Sequence, residues 1–119
     1  MNKGRKISGG RYIKSRKKKR FELAGQKRIV KLGEEKRKSQ RTRGGKLKVC
    51  LLNAKFANIR HDGKTKKVEI KNVLETPSNK FLARQNVITK GTIIETEIGK
   101  ARVTNRPSQE GSVQAILIK

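Results

Sequence analysis

The first 48 residues of the chain hold 20 lysines and arginines against three glutamates (Glu22, Glu34 and Glu35), a net charge of +17. No other feature limits the fold as strongly. Apolar residues in this stretch are scattered: Ile7, Tyr12, Ile13, Phe21, Leu23, Ile29, Val30 and Leu32 never recur persistently at helical spacing. A segment without a periodic apolar face has little to bury against a partner element. The run Arg16-Lys17-Lys18-Lys19-Arg20 also sets like charges four residues apart, which disfavours an isolated helix. Glycines at 4, 9, 10, 25, 33, 44 and 45 punctuate the segment further. Residues 1–45 therefore read as a basic extension, largely disordered when free. Within it, residues 34–40 are expected to make a helical turn or two, helped by the Glu34–Lys38 pair.

The remaining residues, 49–119, carry 13 basic and six acidic side chains, bringing the chain of 119 residues to a net +24. A free protein with this charge repels itself, so its expected state is with a polyanion. With hydrophobic residues at 32%, the whole chain does not read as one well-buried globule. The longest apolar runs, Val49-Cys50-Leu51-Leu52 and Ala115-Ile116-Leu117-Ile118, are four residues, against the roughly 18–20 of a membrane span. No signal-peptide pattern is visible at the N-terminus. The single cysteine, Cys50, rules out an intrachain disulfide and a cysteine-based zinc site. The expectation is an intracellular protein for a phosphate-rich partner, without a membrane, cofactor or small-molecule substrate.

The second part reads as strands. Residues 48–52 form one, and residues 56–59 lead into Asp62-Gly63, a strong turn signal. A two-residue turn there pairs His61 with Lys64 and sets Ile59 opposite Lys66. A four-residue loop over 62–65 pairs Ile59 with Val68 and Ala57 with Ile70, and the apolar face favours this longer loop. Residues 67–74 continue as a strand alternating Val68 and Ile70 with charged neighbours. Thr76-Pro77-Ser78-Asn79 is a breaker, and residues 80–86 read as a short helix carrying Phe81 and Leu82 inward. Residues 92–98 and 100–104 flank Gly99 as a second hairpin of open register, 105–111 form a polar loop, and 112–118 a closing strand. The expected fold is mainly β: a small closed or curled antiparallel β-barrel over residues 46–119, with the long basic extension over 1–45.

Candidate site residues follow from charge. Lysine and arginine neutralise phosphates and release counterions, and arginine adds a planar fork that grips phosphate and stacks on bases. In the extension these are Arg5, Lys6, Arg11, Lys14, Arg16, Lys17, Lys18, Lys19, Arg20, Lys27, Arg28 and Arg37. Two glycine pairs sit among them, Gly9-Gly10 before Arg11 and Gly44-Gly45 between Arg41, Arg43 and Lys46. Glycine lets backbone amides approach a phosphate, and a plain flexible turn is the equal alternative. Tyr12 is placed either to stack on an unpaired base or to anchor the extension on its own barrel. Arg84, Lys90 and Arg106 add cations from the barrel part. Phe56 and Phe81, in apolar company, are expected in the core. No catalytic set emerges: His61 is the only histidine and reads as a turn residue, and Cys50 reads as a small buried hydrophobe.

Taken together, Gly9-Gly10-Arg11, the block at 16–22 with Leu23, and Arg41-Thr42-Arg43-Gly44-Gly45 resemble the small-subunit ribosomal protein eight family of archaea and eukaryotes. So do Asn86-Val87-Ile88-Thr89-Lys90-Gly91, Ile94-Glu95-Thr96 and Val103-Thr104-Asn105-Arg106-Pro107. The resemblance runs in order along nearly the whole chain, and the short form looks archaeal. It implies a β-barrel with a basic N-terminal extension, bound to small-subunit ribosomal RNA beside other small-subunit proteins in the cytoplasm, without enzymatic activity. A free nucleic-acid architectural protein or RNA chaperone is the alternative. Such a DNA compactor more often shows a repeated or dimeric face and an apolar wedge, whereas this chain concentrates its cations in one long extension.

Overall fold

In the computed structural model, residues 4–12, 16–25, 27–61 and 63–118 are described. Lys14 and the turn residue Asp62 lie outside them. A 3₁₀ turn at Arg20–Glu22 precedes strands β1 (Lys31–Leu32), β2 (Lys36–Arg41), β3 (Leu47–Ala54), β4 (Phe56–His61) and β5 (Lys64–Glu75). Helix α1 (Lys80–Arg84) then leads to β6 (Ile93–Thr96), β7 (Lys100–Val103) and β8 (Gln114–Leu117).

Strands β4 to β8 close into a barrel. The closed alternative is the one realised, with every consecutive pair antiparallel and one parallel seam, β4 on β8. That seam follows from parity, because five alternating strands end pointing the way they began. The 12-residue β5 serves two partners, β4 through Glu69 and β6 from Ile70 onward. Irregularities between Ile70 and Asn72 and between Val73 and Glu75 let it turn the corner. Inside sit Ile59, Val68, Ile70, Ile94, Ala101, Val103 and Ala115, all buried. They alternate with outward polar residues as a half-solvated strand requires.

The β4–β5 register differs from the expected one. His61 pairs with Lys64, Ile59 with Lys66 and Ala57 with Val68, so the two-residue turn is used instead of the loop over 62–65. Gly63 at φ +77° supplies the left-handed backbone such a turn needs.

A second, three-stranded sheet in the order β1-β3-β2 lies beside the barrel. β2 runs antiparallel to β3, from Lys36 opposite Asn53 to Arg41 opposite Leu47. In place of the helical turn expected over 34–40, residues 36–40 are strand. One possible Glu34–Lys38 contact contributes a few tenths of a kcal/mol, less than the continuous ladder that β3 offers. Val30, Leu51 and Ala54 join the core from this side, so the chain on both sides of residue 45 shares one sheet.

Helix α1 is capped by Asn79, whose Oδ1 accepts from Phe81 N at 3.0 Å. It ends in a double return: Val87 N donates to Leu82 O and Asn86 N to Ala83 O, both at 3.0 Å. Asn86 there adopts φ +53°, a left-handed closure that asparagine tolerates. Ala83 packs on the core, but Phe81 is 68% exposed. Phe56 is also exposed. The inward placement expected for both rings is thus corrected: α1 turns its small face to the barrel, and Phe56 stands opposite Glu69 on the outer face.

Candidate nucleic-acid interface

Four distant segments are brought together beside α1. The first is residues 27–30, held because Val30 is buried and its carbonyl accepts from Ile88 N at 2.8 Å. The second is the stretch from Val87 to Lys90. Val87 and Ile88 are buried, and Thr89 is clamped by Thr92, whose Oγ1 accepts from Thr89 N at 3.0 Å. The third is the loop after β7. Asn105 ties it closed, donating from Nδ2 to Ser112 O at 2.7 Å and accepting at Oδ1 from Gln114 N at 3.0 Å. Leu51 N on β3 donates to Pro107 O at 3.1 Å, which seats the buried Pro107 and fixes its neighbour Arg106. The fourth is β3 itself, through Lys48.

These segments enclose an open cleft of about 870 Å³. Lys27, Arg28, Lys48, Lys90 and Arg106 line it, with Ile29, Val30, Leu82, Val87, Ile88 and Pro107 as apolar lining. No carboxylate lines it among the described residues. Five cations without a counter-charge raise the local potential and attract an anion. Arg28 is held in place: its Nη1 donates to Cys50 Sγ at 2.9 Å and its Nη2 donates to Gln40 Oε1. Cys50 itself is fully buried, and its Sγ donates to Lys38 O at 3.3 Å.

The other sequence-predicted residues lie elsewhere. Arg5 and Arg11 bridge one another across a tight loop in which Gly9 N donates to Lys6 O and Lys6 N to Gly10 O, both at 2.8 Å. Arg5, Lys6, Gly9, Gly10, Arg11 and Tyr12 are exposed, as are Arg16, Lys17, Lys18, Lys19 and Arg20. The Arg16 fork is engaged internally: Nη1 donates to Glu22 Oε2 at 2.8 Å, and Lys19 N donates to the same oxygen at 3.1 Å. The Arg16 guanidinium, and next the Lys19 amide, hold the Glu22 carboxyl below the usual glutamate range, while Glu22 in turn raises the arginine. Arg37 is likewise paired, its Nε donating to Glu35 Oε1 at 2.7 Å.

Arg41, Arg43, Gly44, Gly45 and Lys46 form the tip of the β2–β3 hairpin. Thr42 N donates to Lys46 O at 2.7 Å, and Gly44 and Gly45 hold φ of +87° and +84°. The glycine pair there makes the turn. Arg43 reaches back to the extension, donating from Nη2 to Phe21 O at 3.1 Å with its guanidinium 5.5 Å from that ring's centre. Arg84 lies 6.0 Å from the Phe81 ring on α1.

Sequence reasoning missed Lys48 and the flanked rings. Lys67 Nζ is 4.6 Å and Lys55 Nζ 5.7 Å from the Phe56 centre, Lys19 is 5.9 Å from Phe21, and Lys6 is 5.8 Å from Tyr12. The order Lys55-Phe56 was the available signal, and Lys67 entered only through strand pairing.

A closed five-stranded barrel, and a cationic cleft lined by no carboxylate among the described residues, define a small basic β-barrel protein. The sequence profile described as Ribosomal protein S8e matches residues 1–118. The chain is 47% identical to the small ribosomal subunit protein eS8 of Sulfurisphaera tokodaii, over 99% of this chain and 94% of that protein. It is 44% identical to the protein of the same name from Methanosarcina barkeri, over 97% and 94% of the two chains. The chain belongs to the ribosomal protein S8e family, a family of structural proteins rather than enzymes.

Proposed function

We propose that this protein is a structural constituent of the small ribosomal subunit and binds that subunit's ribosomal RNA. The residues 1–45 act as the basic RNA-binding extension, and the cleft, to which Lys27 and Arg28 of that extension contribute, is a second, fixed contact. In this role it supports subunit assembly and stability, beside other small-subunit proteins, in the cytoplasm. The observation that carries the reading is the convergence of Lys27, Arg28, Lys48, Lys90 and Arg106 on one cleft without a carboxylate. Phosphates spaced along an RNA backbone are the ligand such a row of cations accommodates. The names of the relatives, small ribosomal subunit protein eS8, agree with it.

Sedimentation tests the reading. Tagged full-length protein in a cell extract is expected to travel with small subunits through a sucrose gradient, and to bring down small-subunit ribosomal RNA after crosslinking. Protein that stays at the top of the gradient, or that crosslinks to DNA instead, would overturn it.

A further inference from the structure

The chain has three phenylalanines, one tyrosine and no tryptophan, and not one of these rings is in the core. The most exposed is Phe81, on the helix beside the cleft. A phenylalanine offers on the order of 150–250 Å² of apolar surface for burial, yet α1 gives its inner face to Ala83 and Leu82 and leaves Phe81 in water. This orientation is fixed at both ends. Asn79 caps the first turn through Phe81 N, and the left-handed Asn86 closes the last. Phe81 and Arg84, three residues apart on one helical face, form a ring with a guanidinium at 6.0 Å. Leu82 of the same helix lines the cationic cleft.

From this arrangement we propose that Phe81, with Arg84, is a stacking platform for an unpaired nucleobase of the bound RNA strand. The proposal deepens the RNA-binding reading above and rests on it. Cations that draw in the phosphate backbone bring bases with it, and a flat apolar face beside them is what an unstacked base covers. Arg84 adds cation–π attraction and a phosphate-seeking fork at the same spot. Bases inside a continuous duplex are already stacked on each other and hidden from the ring. The target is therefore a loop, bulge or junction with splayed nucleotides.

The test uses the full chain and two synthetic RNAs with equal numbers of phosphates. One is a stem–loop with an adenosine-rich loop carrying an aminopurine reporter, and the other is a blunt duplex. Phe81→Leu keeps an apolar side chain and removes the ring; Phe81→Tyr keeps the ring. The position is solvent-exposed, so both variants are expected to melt like the wild type. The wild type and Phe81→Tyr are expected to prefer the stem–loop and to quench the reporter. Phe81→Leu is expected to bind the stem–loop about tenfold more weakly, without quenching and with an unchanged salt slope, and the duplex as before. Equal affinity of wild type and Phe81→Leu for the stem–loop would overturn the proposal, as would equal loss on both RNAs. A defect seen only on incorporation into subunits, with naked-RNA binding intact, would mean that the ring meets a protein neighbour, and would overturn it too. Failure of the wild type to bind either RNA would instead bring down the RNA-binding reading itself.

Discussion

If the cleft grips phosphates as a fixed site, four of its cations can be removed and the loss read as a slope. Lys27, Lys48, Lys90 and Arg106 are exposed at its walls, so changing all four to glutamine leaves the core untouched. Arg28 is kept, because its guanidinium donates to the buried Cys50. Each phosphate contact contributes about 0.7–0.9 to the slope of log K against log salt. Four lost contacts therefore flatten the line by about 2.8–3.6. Between about 50 and 200 mM salt, a fourfold change, the wild-type advantage is expected to shrink by roughly 50- to 150-fold. Fluorescence anisotropy with small-subunit ribosomal RNA fragments measures this directly.

A matched control separates the cleft from bulk charge. Lys64, Lys66, Lys71 and Lys100 are equally exposed and lie on β5 and β7, none of them lining the cleft. Changing these four to glutamine alters net charge by the same amount. A flattening clearly smaller than that of the cleft variant is expected. Parallel lines for wild type and cleft variant, or the same flattening in both variants, would refute a cleft that counts phosphates.

Val30→Ala removes two methylene equivalents from a side chain 1% exposed, so a loss of about 2 kcal/mol is expected; a melting point lowered by roughly 8–16 °C in calorimetry would agree. Changing Arg41 and Arg43 to lysine preserves charge but removes two planar forks, one of which holds Phe21. In competitive reconstitution, the double variant is expected to be recovered less than wild type, whereas equal recovery would leave only bulk charge. For Glu22 the folded carboxyl titrates below its ordinary range. The Arg16–Glu22 contact is therefore complete above the unfolded glutamate value and lost as pH falls through the lowered folded one. A carboxyl chemical shift titrating at the ordinary value would mean the pair is not formed in solution.

Much of the barrel is legible because its cues are local. The breaker at Thr76-Pro77-Ser78-Asn79, the alternation of Val68 and Ile70, and Gly99 between two apolar runs each act within a few residues. The strands and α1 stand near where those cues put them. The cleft has no such signature. Lys27 and Arg106 are far apart in sequence, and they meet through tertiary contacts, the buried Val30 on one side and the bond from Leu51 N to Pro107 O on the other. Lys27, Arg28, Lys90 and Arg106 could be named from charge, but neither Lys48 nor the convergence of the five. The face of α1 was equally hidden, since a helix of five residues carries no repeating stripe to say which side is inward. β2 reads as polar throughout, and it is a strand because β3 offers it a ladder, not because of its own side chains.

The β4–β5 hairpin shows most clearly why one kind of pattern cannot do another's work. The two candidate registers, Ile59 opposite Lys66 and Ile59 opposite Val68, differ by two residues. Side chains alternate with a period of two, so that shift leaves every residue on the face it already had. Ile59, Val68 and Ile70 point into the barrel in either pairing, and the apolar pattern therefore carries no preference between them. What distinguishes the registers is the turn, where Gly63 at φ +77° accommodates a tight two-residue connection. The cost of that choice is a lysine, Lys66, opposite Ile59, and Lys66 is exposed. The barrel's inward pattern resumes one pair further along, where Ala57 meets Val68. An alternating pattern fixes which face is buried, and turn chemistry fixes which residue meets which; a shift of two residues is decided only by the second.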